Sequence, residues 1–214
     1  MIVQVGPYPE PIGGISIYIK RMKEFLDING VSNEVWDNSG IFKDIKGVKN
    51  KRLRYIPFNH FLKKEIDLIH YNICGIKSKK YIGLFNKLLL KNRKKVLTIH
   101  GDCSGLVNEN DNYIVKALNT FNVIICVKSG DKEYLVNKGI NTKIYEIPAF
   151  ILPQLKIEDK IPIEVNNFIS QHKFIITANA SAIRFHNGYD LYGIDMCIEL
   201  MINLKKKFPN RKIG

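Results

Sequence analysis

Short apolar runs recur along this chain, and most are followed by a stretch whose apolar residues return at helical spacing. Residues 2–5 form the first run and end at Gly6, which predicts a buried parallel strand. Pro7-Tyr8-Pro9-Glu10-Pro11 then excludes both helix and central strand. After Gly13-Gly14, the residues Ile15, Ile19, Met22, Phe25 and Leu26 share one helical face. The same reading predicts strands at residues 31–36, 52–56, 67–71, 95–99, 123–127 and 143–147. Between them it predicts helices at 58–64, 79–92, 111–121 and 129–137, the last capped by Ser129 and ended by Lys138-Gly139.

Strands that alternate with helices, and are mostly apolar throughout, predict a parallel sheet covered by helices on both faces. Residues 1–150 are therefore expected to form a Rossmann-like α/β domain. Residues 151–171, with Pro153 and Pro162, read as a connector containing a short helix near 164–170. Residues 172–214 read as the start of a second Rossmann-like domain. It has a strand at 174–177 and a helix at 190–208 that turns Ile194, Ile198, Leu200, Met201 and Leu204 inward. A βα unit ending at Gly214 cannot bury its own faces, so this second domain is expected to be truncated.

Composition narrows the class. At 214 residues and 45% hydrophobic, the chain can bury one good core but not two full domains of ordinary size. No apolar run reaches the roughly 18–20 residues needed to span a bilayer. Met1-Ile2-Val3-Gln4-Val5-Gly6 lacks the basic-then-apolar pattern of a secretory signal, so a cytoplasmic location is expected. Cys74, Cys103, Cys126 and Cys197 are scattered, with no C-x-x-C pair, which predicts free thiols and no zinc site.

Charge is the first uneven property. The net charge is +13, and the segment from Lys49 to Lys95 holds 14 of the 33 basic residues but only Glu65 and Asp67 as acids. That segment carries +12 and the rest of the chain +1. Such asymmetry points to a polyanionic partner or an anionic membrane face, with a simply solvated lysine-rich surface as the alternative.

Ligands on open parallel sheets bind beyond the carboxyl ends of the strands. There, Gly13-Gly14 opens a helix, where backbone amides and the helix dipole favour an anion and missing side chains permit close approach. His100 ends the run Val96-Leu97-Thr98-Ile99 and is placed to face the crevice and contact a substrate hydroxyl or phosphate. His70 ends another strand similarly. Asp102, Ser129 and Asn179 lie in strand-end loops and complete the crevice candidates. G-x-G-x-x-G and G-x-x-x-x-G-K-[ST] are absent, which argues against dinucleotide and nucleoside-triphosphatase loops.

Taken in order, these motifs resemble the family-4 glycosyltransferases with the GT-B fold. The likeness rests on Val5-Gly6-Pro7 through Gly13-Gly14-Ile15, Asp67-Leu68-Ile69-His70-Tyr71, Lys95 through Gly101, and Val123 through Ser129. Tyr145-Glu146-Ile147-Pro148-Ala149, the stretch from Ala178 to Arg184, and Asp190 through Asp195 extend it along the whole chain. The resemblance implies a retaining sugar transfer from a nucleotide-sugar donor to a glycan or lipid-linked acceptor, in surface polysaccharide or glycolipid synthesis. Gly13 and Gly14 would border the donor diphosphate, His100 would contact the donor sugar near the reacting carbon, and Arg184 would neutralise the leaving diphosphate. No metal or other cofactor is then required. The glutamates with which such enzymes hold the nucleotide would fall beyond Gly214, so the chain is expected to be inactive alone.

Such enzymes often act at a membrane face, which gives the basic segment a role. The predicted helix at 79–92 sets Tyr81, Ile82, Phe85, Leu88 and Leu89 beside Lys79, Lys80, Lys87 and Lys91, followed by Arg93 and Lys94. This reads either as a peripheral membrane contact or as an apolar stripe packed on the sheet with its lysines in water. The competing function class is a basic α/β binding module for nucleic acid or anionic membrane without catalysis. Nucleic acid is not expected, because no recognised binding motif is present and the aromatics are not interleaved as stacking platforms.

Overall fold

A computed structural model describes residues 1–50, 65–72, 82–87, 93–104, 112–153, 161–180, 183, 185–186 and 188–214. The predicted strand at 52–56 and helix at 58–64 lie outside the described residues, as do Lys79, Lys80, Lys91, Cys74 and Arg184.

The chain divides into two compact units, Met1–Gln154 and Leu155–Gly214. In the first, seven described strands form one parallel sheet: β1 (Ile2–Gly6), β2 (Asn33–Asp37), β3 (Val48–Asn50), β4 (Leu68–Tyr71), β5 (Lys94–Ile99), β6 (Val123–Cys126) and β7 (Lys143–Glu146). Their order is β3-β2-β1-β4-β5-β6-β7. The chain builds outward from β1 in one direction, then returns to β1's other side and builds away, as in a doubly wound fold. The sheet with its flanking helices is the Rossmann-like α/β architecture expected from the alternation.

The two faces of the sheet differ sharply. On one, Val3, Val5, Trp36, Ile69, Tyr71, Leu97, Ile99, Ile124 and Cys126 join a single apolar core. That core includes Ile114 and Leu118 of α2 (Asn112–Leu118) and Leu135 of α3 (Asp131–Asn137). Helical residues 82–87 press against α2 so closely that a Cβ on Gly83 would lie 2.3 Å from that of Ala117. Of the predicted membrane stripe, Ile82 is buried and Phe85 packs on this core, while Lys87 and Lys94 are exposed. Arg93 turns its guanidinium onto the carbonyl of Ile66.

The opposite face is covered by α1 (Gly14–Ile28), whose Tyr18 and Ile19 pack with Val35 and Val48. Ala149 and Ile151 lie against this smaller cluster, and Arg21 donates to the carbonyl of Ile151 at 3.1 Å. Yet β1, β4 and β5 present Gln4, His70 and Thr98 on this side, all buried. The first run therefore forms the expected strand, but its one polar residue lies fully buried in mid-sheet.

One sequence expectation needs correction here, and one element was not foreseen. Ser129 does not cap α3: Gly130, in a left-handed conformation (φ 87°), precedes Asp131. A short strand at Val48–Asn50, too brief to show periodicity, pairs with β2.

The second unit contains α4 (Ile163–Gln171), a hairpin of β8 (Phe185–His186) and β9 (Tyr189–Asp190), and α5 (Ile194–Lys207). The predicted strand at 174–177 is reduced to one parallel bridge between Phe174 and Ile213. The inward face predicted for α5 is not buried. No residue of that helix is buried, and Ile198 and Leu200 are 58% and 47% exposed.

Candidate functional site

The winding direction reverses between β1 and β4, and the carboxyl ends of these two strands frame the crevice of the first unit. Gly6 ends β1 there. A Cβ on Gly6 would sit 2.6 Å from the backbone oxygen of Asn72 and 2.6 Å from Cδ1 of Ile19. Glycine is thus what lets β1, the end of β4 and α1 meet so closely.

The loop from Gly6 to α1 is tied at several points. Asp37, buried at the end of β2, accepts hydrogen bonds from the amides of Tyr8 (3.0 Å) and Ser39 (2.9 Å) and is ion-paired with Lys43. Ser16, in the first turn of α1, accepts from the Gly13 amide at 2.9 Å and lies 2.9 Å from the Pro11 carbonyl. At Gly14 an added Cβ would meet nothing within 4 Å, and at Gly13 only the Ser16 hydroxyl at 4.0 Å. Gly13 is in an extended conformation open to any residue. Neither conformation nor packing at Gly13 and contacts at Gly14 therefore call for glycine, while the opening amides of the helix have no preceding turn to bond. The two glycines leave bare backbone at the positive end of a 15-residue helix.

Across the crevice, His100 follows β5 and is half-buried. Its Nε2 lies 3.0 Å from Oδ1 of Asn72, a contact that requires the proton on Nε2. The ring of Tyr18 meets the imidazole edge-on, with centroids 5.0 Å apart. Gly101 then turns the chain at φ 114°, a conformation that favours glycine. Asn72 is fully buried, and its Nδ2 has no hydrogen-bond partner among the described residues.

The remaining predicted residues are placed differently. His70 does not face the crevice. It lies one layer down in the sheet, with Nε2 2.7 Å from the Thr98 hydroxyl. Burial, and secondly the nearness of His100, bring its pKa down to about 4, so it is neutral near pH 7. Asp102 pairs with Lys128 at 2.6 Å and accepts the Ser104 amide at 2.7 Å. Lys128 holds its carboxyl well below the usual carboxylate range, which makes Asp102 a loop clasp and a poor general base. Ser129 is exposed beyond β6, and Asn179 is exposed within the second unit. Asn72, Tyr18, Ser16 and Asp37 were not singled out from the sequence. Asn72 alone carried a signal, as a polar residue closing the run that begins at Leu68.

No three His, Cys, Asp or Glu side chains converge as metal ligands would among the described residues. No helix among them is long and apolar enough to cross a membrane.

No family model and no curated protein matches this sequence. Among solved structures, the chain resembles an alpha-glucosyltransferase in complex with UDP and a 13-mer DNA containing a central A:G mismatch. The TM-score is 0.53 at 11% identity, over 97% of this chain and 52% of that one. The chain shares the Rossmann-like fold of that structure. The chain spans about half the length of the structure it matches.

Proposed function

We propose that this chain is the acceptor-side half, with the first elements of the donor-side half, of a retaining family-4 glycosyltransferase. It uses a nucleotide-sugar donor and a glycan or lipid-linked acceptor. The observation that carries the reading is the bare helix start at Gly13-Gly14 on one side of the switch point, with His100 on the other. In this reading the donor diphosphate lies against the opening amides of α1. As the bond between the anomeric carbon and the phosphate oxygen breaks, the sugar gains oxocarbenium character and negative charge grows on the leaving diphosphate. Amides and helix dipole stabilise that charge, and Arg184 is assigned the same task. His100 holds the donor sugar while an acceptor hydroxyl bonds to the anomeric carbon in place of the diphosphate and gives its proton to the departing diphosphate oxygen.

The fold neighbour's UDP supports a uridine nucleotide as the first probe. The basic segment from Lys49 to Lys95 supports an acceptor presented at an anionic membrane face, with Lys87 and Lys94 among its exposed cations.

The test is calorimetric titration of the chain with UDP and with inorganic pyrophosphate, alongside the Gly14→Val variant. Because the added side chain meets no neighbouring atom at its Cβ, the variant should melt within a few degrees of the wild type. It should bind UDP at least tenfold more weakly. A wild type that binds neither UDP nor inorganic pyrophosphate, the part of the donor assigned to this chain, or equal binding by the variant, would overturn the placement of the diphosphate.

A further inference from the structure

The crevice contains a buried amide whose place in the fold is hard to justify by stability. Asn72 is 0% exposed, and one end of its amide has no partner among the described residues. A buried donor left unmade carries its full desolvation cost, and an apolar side chain at the strand end would avoid it. The other end of the amide is engaged: Oδ1 faces Nε2 of His100 at 3.0 Å.

Three further contacts converge on this pair. Gly6 permits the close approach of β1 to Asn72, where any larger residue would collide with the Asn72 backbone oxygen at 2.6 Å and Cβ at 3.1 Å. Tyr18, from α1, makes a T-shaped ring contact with the His100 imidazole. Asn72 itself is anchored through its backbone, its amide donating to the Val5 carbonyl at 2.7 Å. The backbone hydrogen bond fixes where the side-chain amide can reach, and the amide in turn fixes the imidazole.

We propose that Asn72 is a positioning residue for His100. It holds the proton on Nε2 and fixes the ring plane, so that the imidazole meets a sugar donor in one tautomer and one orientation. The consequence for sugar transfer rests on the reading of His100 given above; the Asn72–His100 link itself does not, and is measured without any ligand. A residue that merely filled space would leave the imidazole's proton distribution unchanged, and this separates positioning from packing.

The experiment is ¹⁵N-histidine NMR of the whole chain near neutral pH, with His100 assigned through the His100→Gln variant. In the wild type, His100 should show a single Nε2-protonated form and a ring N–H proton shielded from exchange. In Asn72→Ala that proton should be lost to exchange and the neutral ring should populate both tautomers. Asn72→Asp keeps an oxygen acceptor and should retain the Nε2 proton. It also guards against failure of the alanine variant to fold. A wild-type His100 protonated on Nδ1, or a protected Nε2 proton that survives in Asn72→Ala, would overturn the proposal. Failure of both UDP and inorganic pyrophosphate to bind would strike the proposed function and leave this result standing.

Discussion

The two faces of the large sheet are built for different ends. One is mainly apolar: Val3, Val5, Ile69, Leu97, Ile99 and Ile124 pack under Ile114 and Leu118 of α2, nearly all fully buried, with the Tyr71 hydroxyl as a buried polar exception. The other, beneath α1, interrupts its apolar cluster with Gln4, His70 and Thr98, and ends in Asn72 and His100. Neither polar end of the Gln4 side chain finds a partner among the described residues. The first face maximises removal of apolar surface from water. The second gives up part of that gain, and its polar row leads to the crevice. The pleat of the strands therefore sets the main apolar core on one face and the buried polar row on the other.

The strongest way to sharpen this contrast is to delete hydrocarbon from the apolar face. Leu118→Ala should cost roughly 2–5 kcal/mol, because the fully buried side chain leaves a cavity in a close-packed core. Urea unfolding measures it, and a loss under about 1 kcal/mol would show that the face is less tightly packed than described.

A second test is pH. The folded pKa of His70 lies at about 4, below the unfolded value near 6.5, so the unfolded state binds more protons between these limits. Stability from neutral His70 is therefore full above about pH 6.5 and is lost as pH falls towards 4. The loss amounts to about 3 kcal/mol, from roughly 1.4 kcal/mol per pKa unit. His70→Gln should flatten that part of the stability profile, measured by unfolding at stepped pH. An unchanged slope would place the titration elsewhere.

The smallest expected effect comes from Gly6→Ala. Its Cβ meets a backbone oxygen that cannot swing aside, which predicts a cost of about 1–3 kcal/mol from overpacking. Urea unfolding measures this too, and a neutral result would mean that the end of β4 can shift to make room.

The second unit offers another contrast with the apolar face. Its helix α5 carries an apolar stripe as regular as that of α1, yet none of its residues is buried. Periodicity alone could not tell these cases apart. A stripe records which side of a helix is suited to burial, and only a packed neighbour buries it.

Much of the fold was legible in the sequence for that same reason. The alternation of apolar runs with helical spacing identified β1, β2, β4, β5, β6 and β7 to within a residue or two, because local hydrogen bonding and side-chain periodicity set these elements. The missed cases were short or locally ambiguous. Val48–Asn50 has three residues and no visible period, and Ser129 looked like a cap until Gly130 took the left-handed turn. The helix start at Gly13-Gly14 and the strand-end position of His100 could likewise be marked from the sequence, because both depend on local order.

What the sequence could not determine is who stands beside whom. His70 and His100 both close apolar runs, yet one is sealed under α1 against Thr98 and the other opens on the crevice. Asn72 and His100 are 28 residues apart, and they meet because β4 and β5 pair in parallel at one register. Gly6 is indispensable only because β4 returns to the side of β1 and brings the Asn72 backbone within 2.6 Å of where its side chain would be. Periodicity is a property of one strand, whereas a hydrogen bond across the sheet needs strand order and register, and these follow from the packing of the whole layer.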